Sequence, residues 1–324
     1  MRILTGDIGG THTRLAIGSR QPDGISIAER EVFSSHDHDS LAAIIGHYPP
    51  AQQPPLDAAA FGVAGPVKQG ISRITNLPWE ISQLRLAQTL GLDAVYLLND
   101  LEALAWGIDC LSADERVSLH GGSGDGGNRA VVAAGTGLGE AGLYFDGRRY
   151  RPFATEGGHV DFAPCNAREI DLLRHLQQRH GHVSWERVLS GPGLVTLYEF
   201  VLLQRGAPTP DWLRANTEPA AHITNLALAE QDELCVETLD WFVQLYGREA
   251  GNAALKMKAT GGVYLGGGIA PKILPALQRG GFMLAFLDKG RMQPLLEGVP
   301  VQVIRSEQVA LKGLVHYAVE AAAD

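Results

Sequence analysis

Residues 6 to 18 read Gly6-Asp7-Ile8-Gly9-Gly10-Thr11-His12-Thr13-Arg14-Leu15-Ala16-Ile17-Gly18, and residues 135 to 147 read Gly135-Thr136-Gly137-Leu138-Gly139-Glu140-Ala141-Gly142-Leu143-Tyr144-Phe145-Asp146-Gly147. Each stretch follows a β-prone apolar run, turns through glycines and leaves on another short apolar strand. The pattern predicts a glycine-tipped hairpin, used twice. Glycines let backbone N–H groups approach a ligand with no Cβ in the way, which suits a phosphate. Two such tips suggest two halves gripping one polyphosphate, with Asp7 close enough to need an intervening cation.

Gly137-Leu138-Gly139-Glu140-Ala141-Gly142 also matches the dinucleotide-binding GxGxxG string. That string needs a helix straight after the turn. Here Leu143-Tyr144-Phe145 before Asp146-Gly147 predicts a strand ending in a hairpin turn instead. No GxxxxGK[ST] loop occurs in the chain.

Several carboxylates and one imidazole stand where they could do chemistry. Asp100 follows the apolar run Ala94 to Leu98 and precedes a helical pattern from Leu101, so it sits at the carboxyl end of a strand, where α/β proteins bind ligands. A carboxylate there can accept an alcohol proton. Either Asn99 or Asp100 can equally cap the following helix, and spacing alone leaves both roles open. Glu156, before Gly157-Gly158, reads equally as a turn residue, Glu186 as a helix-start residue and His159 as a structural histidine. His36-Asp37-His38-Asp39 reads as a solvated loop, since adjacent side chains point apart. Asp7 likewise suits an ordinary turn.

The elements that must position these residues alternate strand and helix through the first hundred residues, an α/β pattern. Strands are expected at Ile3 to Thr5, Leu15 to Ile17, Ala58 to Val63 and Ala94 to Leu98, and helices near Leu41 to Gly46 and Ile81 to Leu90. The tract Gly121 to Gly127 is the best linker candidate. Beyond it come helices over Ala167 to Arg179, Leu194 to Leu203 and Glu233 to Lys258. In the last of these, Cys235, Leu239, Phe242, Tyr246, Ala250 and Ala253 mark one buried face. Gly266-Gly267-Gly268 then opens onto a helical pattern, Lys272 to Gln278, whose N-terminus could hold an anion. Val301 to Ile304 and a helix over Glu307 to Ala321 close the chain and are expected to return to the first domain.

At 324 residues two domains are expected. With 27 basic and 36 acidic residues the net charge is −9, which argues against nucleic acid as a partner. Cys110, Cys165 and Cys235 are far apart with no CxxC, so reduced thiols are expected and neither a disulfide framework nor a zinc site is indicated. The opening residues lead directly into a strand and no apolar run approaches a membrane span. The reading is a cytoplasmic protein that does not engage a membrane.

Taken together, the hairpin with Asp7, the hairpin with Gly135-Thr136-Gly137 and the Gly266-Gly267-Gly268 exit resemble the phosphate 1, phosphate 2 and adenosine motifs of the actin-like ATPase superfamily. Within it the chain resembles the bacterial glucokinases through Gly6-Asp7-Ile8-Gly9-Gly10-Thr11, Leu98-Asn99-Asp100-Leu101-Glu102-Ala103, Glu156-Gly157-Gly158-His159 and Glu186-Arg187-Val188-Leu189-Ser190-Gly191-Pro192-Gly193-Leu194. The resemblance implies an α/β, two-domain actin-like ATPase (ribonuclease H-like) fold with a deep interdomain cleft. The smaller domain would comprise residues 1–110 plus 301–324, and the larger, with helical insertions, residues 111–300. It implies transfer of phosphate from ATP, with Mg²⁺, to the 6-hydroxyl of glucose, with Asp100 as general base.

In the same reading Asn76, Asn99, Asp100, Glu156, His159 and Glu186 bind the sugar, and the loop at Gly65-Pro66 approaches it. Gly6, Asp7, Ile8, Gly9, Gly10 and Thr11, with Gly135, Thr136, Gly137, Gly266, Gly267 and Gly268, hold the nucleotide, and Asp7 meets the metal through water or phosphate. A homodimer is also implied. The Cys-rich zinc motif of related ROK sugar kinases and repressors is missing, since only Cys165 follows His159. A kinase for another hexose or an amino sugar, or a non-transferring ATPase or sugar sensor, are the competing readings.

Overall fold

The computed structural model describes residues 1–52, 55–74 and 77–323, and the chain divides into two compact units, Met1–Glu115 with Ser306–Asp324, and Arg116–Arg305. Asn76 lies outside the described residues.

The first unit contains strands β1 (Arg2–Ile8), β2 (His12–Gln21), β3 (Gly24–Ser34), β4 (Ala58–Val63), β5 (Val67–Lys68), β6 (Ile71–Arg73), β7 (Glu80–Ser82) and β8 (Val95–Asn99). Its helices are α1 (Leu41–Gly46), α2 (Gln83–Leu90), α3 (Asp100–Gly107) and the chain's last helix, Val309–Ala321. The main sheet runs β3-β2-β1-β4-β8, antiparallel at β1/β2 and β2/β3 and parallel at β1/β4 and β4/β8. Side chains alternate across it as the two-residue strand period requires. Ile3, Ala58, Ala60 and Leu98 face the last helix through Leu311, Leu314, Val315 and Ala318. Leu4, Ala59, Phe61 and Leu97 face the opposite core with Leu41, Ile44 and Leu86. Both faces are therefore covered, which explains why these strands read as continuous apolar runs. The last helix lies close on α3 because a Cβ at Gly313 would collide with the Ala103 carbonyl.

The second unit repeats the plan. Its strands are β9 (Arg116–His120), β10 (Arg129–Ala134), β11 (Leu138–Phe145), β12 (Tyr150–Ala154), β13 (Gly262–Gly266) and β14 (Val301–Ile304), in the order β12-β11-β10-β13-β14-β9. β10/β11 and β11/β12 are antiparallel and β10/β13 and β13/β14 parallel, so the first five strands of this order match the first unit's sheet strand for strand. The helices are α4 (Ala167–His180), α5 (Gly191–Arg205), α6 (Asp211–Ala215), α7 (Pro219–Leu228), α8 (Glu233–Met257), α9 (Leu274–Leu277), α10 (Gly281–Leu287) and α11 (Gln293–Glu297), before α12 (Val309–Ala321) in the first unit. The face of α8 read from the sequence is the buried one, from Cys235 to Ala253, and its Tyr246 hydroxyl donates to the Val132 carbonyl of β10 at 2.9 Å.

Three local expectations are corrected. The Gly121–Gly127 tract is not a linker: β9 precedes it in the same sheet, and the N–H groups of Ser123 and Gly124 donate to the Gly298 carbonyl at 3.0 and 3.1 Å. Val301–Ile304 does not return to the first unit, because its backbone pairs with β13 on one side and β9 on the other. The helical pattern expected over Lys272 to Gln278 is shorter: turns run from Gly267 to α9, which spans only the four residues Leu274–Leu277. Among the described residues no helix is long and apolar enough to cross a membrane.

Candidate functional site

In the first unit the hairpin tip is built from both sides. The Gly9 amide closes the turn on the His12 carbonyl at 2.9 Å. Ser35, fully buried just after β3, donates its N–H to the Thr11 carbonyl (2.9 Å) and its hydroxyl to the Gly9 carbonyl (2.8 Å), with the Thr13 hydroxyl 3.0 Å away. Ser35 escaped sequence reasoning because its partners lie more than twenty residues away and meet it only through β2/β3 pairing. Asp7 pairs across β1/β2 with Arg14, whose Nη1 donates to Oδ2 at 3.1 Å. Burial pushes the Asp7 carboxyl above its ordinary range, against the pull of Arg14.

Asn99 and Asp100 both accept amide hydrogens at the start of α3. Asn99 is the cap of α3: its Oδ1 accepts the Leu101 and Glu102 amides at 3.0 and 3.4 Å, and its Nδ2 donates to the Gly65 carbonyl at 3.2 Å. Asp100 is the first residue of the helix, half-buried, and accepts the Leu101 amide at 2.9 Å. Burial raises its carboxyl to about 6; the Leu101 hydrogen bond works against this and the charge of Asp7 adds to it. Two acidic groups thus stand close together at the carboxyl end of the first sheet.

In the second unit the Gly135–Gly137 tip, Glu156, His159 and Glu186 come together. Glu186 lies in a 3-10 turn, Trp185–Arg187, and its Oε2 accepts the Leu138 amide at 2.9 Å. A Cβ at Gly137 would stand 2.5 Å from that oxygen, so the glycine is what lets the carboxylate reach the hairpin. His159 stands between the two glutamates, with Nδ1 4.0 Å from Glu186 Oε1 and Nε2 3.9 Å from Glu156 Oε2. The Gly135 carbonyl accepts the Gly191 amide at 2.8 Å, and Ser190 both caps α5 and donates to the Glu186 carbonyl at 2.8 Å. The hairpin tip, the Glu186 turn and the start of α5 therefore form one hydrogen-bonded block.

The third glycine run joins the same block. Gly267 has φ +77°, and a side chain there would run into the Ala134 carbonyl at the end of β10. Nothing stands within 4 Å of where a Cβ would project from Gly135 or Gly268, which leaves these glycines open to a ligand. Thr11 and Thr136 are exposed at their tips. Among the described residues no cluster of three or more His, Cys, Asp or Glu is arranged to hold a metal ion.

The model of the glucokinase family matches residues 4–321. A glucokinase of Nostoc punctiforme is 39% identical over 330 residues, covering 96% of this chain and 97% of its own. The chain belongs to the glucokinase family. That membership makes it an enzyme of the sugar-kinase class. The crystal structure of a glucokinase from an Antarctic psychrotroph is 32% identical and superposes with a TM-score of 0.86 over 98% of this chain and 99% of that one. A ROK-family glucokinase from Streptomyces griseus, solved with glucose and AMPPNP, is 19% identical with a TM-score of 0.67, covering 99% of this chain and all of the other, and shares the fold. The fold of these glucokinases is the actin-like ATPase fold.

Proposed function

We propose that this chain transfers the γ-phosphoryl group of ATP to the 6-hydroxyl of D-glucose, with Asp100 as general base. The observation that carries the reading is the carboxyl at the end of β8: Asp100 opens α3, shares the Leu101 amide with Asn99, and is half-buried and raised to about 6. A base poised near the working pH accepts the alcohol proton as the new P–O bond forms, while positioning and charge neutralisation supply most of the acceleration. Glu156, His159 and Glu186 give the sugar hydroxyls acceptors and donors in fixed directions, and Asn99 adds an amide. Glu186 is suited to this because one oxygen is anchored on Leu138 while the other faces His159. Asn76 is proposed for the same shell on the family resemblance alone. A site built from such paired polar groups rejects a sugar that leaves them unpartnered.

The glycine runs Gly6–Thr11, Gly135–Gly137 and Gly266–Gly268 would hold the nucleotide, and the open approach to Gly135 and Gly268 supports that role. Asp7, a carboxyl beside a glycine tip with one oxygen on Arg14, suits a magnesium ion reached through water or phosphate. Bound magnesium supplies charge neutralisation at the phosphate oxygens. The AMPPNP in the Streptomyces griseus structure supports ATP as the donor.

The test is a phosphoryl-transfer assay with Mg-ATP across glucose, mannose, fructose and amino sugars, reading ADP and sugar phosphate in parallel. Equal amounts of ADP and glucose 6-phosphate, with the other sugars poor acceptors, are expected. ADP without sugar phosphate would make the chain an ATPase or sensor.

A further inference from the structure

Beneath the Glu156–His159 turn lies a carboxyl that the chemistry above does not use. Glu140, third residue of β11, is 1% exposed, and its Oε1 is buried with no hydrogen-bond partner among the described residues. Its Oε2 occupies the space where a side chain at Gly157 would stand. Facing it from α8 is Glu249, fully buried, which accepts Lys256 Nζ at 3.0 Å and Asn252 Nδ2 at 2.8 Å. Tyr246 of α8 also faces Glu140, and burial keeps its hydroxyl protonated. Glu140 opens on a cavity of about 790 Å³ that Thr155, Gly157, Asp161, Asn252 and Lys256 also line.

Two carboxyls facing each other in a buried layer do not both ionise. Lys256 and Asn252 already satisfy Glu249 as a carboxylate, so Glu140 is the member that carries the proton. Burial and the Glu249 charge push Glu140 up to about 8, with Lys256 pulling the other way.

The turn rests on the first residues of β11. Thr155 Oγ1 donates to the Glu140 carbonyl at 2.9 Å and accepts the Gly157 amide at 3.1 Å. A Cβ at Gly158 would collide with the Leu138 carbonyl, and the Leu138 amide is the one that anchors Glu186. Residues 138–140 thus seat both halves of the Glu156, His159 and Glu186 group.

We propose that Glu140 is a positioning residue for glucose: as a neutral acid packed against Gly157, it sets the height of the turn that carries Glu156 and His159. This rests on the sugar-site reading above. Ionising Glu140 beside Glu249 forces water into the layer and lifts the turn, so glucose binding weakens on the alkaline side while turnover at saturating glucose changes little.

The test measures glucose KM and kcat against pH for the wild type, Glu140→Gln and Glu140→Ala. The wild-type KM is expected to rise as pH passes through about 8. Glu140→Gln, which cannot ionise, keeps a near-normal KM and loses that rise. Glu140→Ala raises KM roughly tenfold with kcat retained, about the loss of one good hydrogen bond to the sugar. A purely structural role would lower kcat and stability together and leave the alkaline rise intact in Glu140→Gln. A wild-type KM flat through that range, or an unchanged rise in Glu140→Gln, overturns the proposal, and the Gln comparison decides even if the Ala variant does not fold. If the wild type phosphorylates no glucose, the sugar-site reading fails first, and that is seen before any variant is made.

Discussion

At the scale of single residues, the proposed chemistry turns on the pair Asn99 and Asp100. Both types cap helices, so sequence alone left both roles open; Asn99 accepts the Leu101 and Glu102 amides, and Asp100 shares the Leu101 amide. Asp100 must be ionised to accept a proton, and burial together with the Asp7 charge raises it to about 6. Activity should therefore be full well above that value and fall as pH drops through it, about tenfold per pH unit in kcat/KM. A pH–rate profile with glucose checks this, and an acid limb near pH 4 instead would deny Asp100 its role. Asp7, Glu156, His159 and Glu186 could be singled out in the sequence because each stands beside glycines or a turn. Glu140 and Ser35 were not. Glu140 sits inside an apolar strand where alternation gives no hint of a buried acid, and Ser35 has partners that only strand pairing brings near.

At the scale of elements, the glycine hairpins and the buried face of α8 could be read directly, since turn chemistry and a 3.6-residue period are local properties. The Gly121–Gly127 tract and Val301–Ile304 were misread because what holds them is the Gly298 carbonyl and two neighbouring strands, all distant in sequence. A comparable long-range tie joins α4 to α8. Glu169 on α4 is fully buried; it accepts the Cys165 amide at 2.6 Å and Asn166 Nδ2 at 2.8 Å, and pairs with Arg248 Nε of α8 at 3.1 Å. Arg248 also reaches Asp288 at 3.2 Å. Removing one partner strands a buried charge, so Arg248→Met should destabilise the second unit by about 3 to 5 kcal/mol. Urea unfolding measures this, and a change within about 0.5 kcal/mol would show the pair to be dispensable.

At the scale of the whole molecule, the same five-strand order occurs twice in one chain, and that repetition was visible in the sequence only as two glycine-tipped hairpins. The order of the remaining strands depends on parallel pairings that no local pattern encodes. If the polar groups of the sugar shell are assembled only in the native state, glucose binds that state alone and stabilises it by about 2.7 kcal/mol at a hundred times its Kd. Thermal unfolding should shift upward with glucose and less with mannose; equal shifts for every hexose would contradict a shell that distinguishes epimers. The most direct test of the central claim compares the wild type with Asp100→Asn in the same Mg-ATP and glucose assay, with glucose affinity measured alongside. Turnover is expected to fall by about 10² to 10⁴-fold with glucose binding little changed. Near-normal turnover in the Asn variant would mean that Asp100 is not the base.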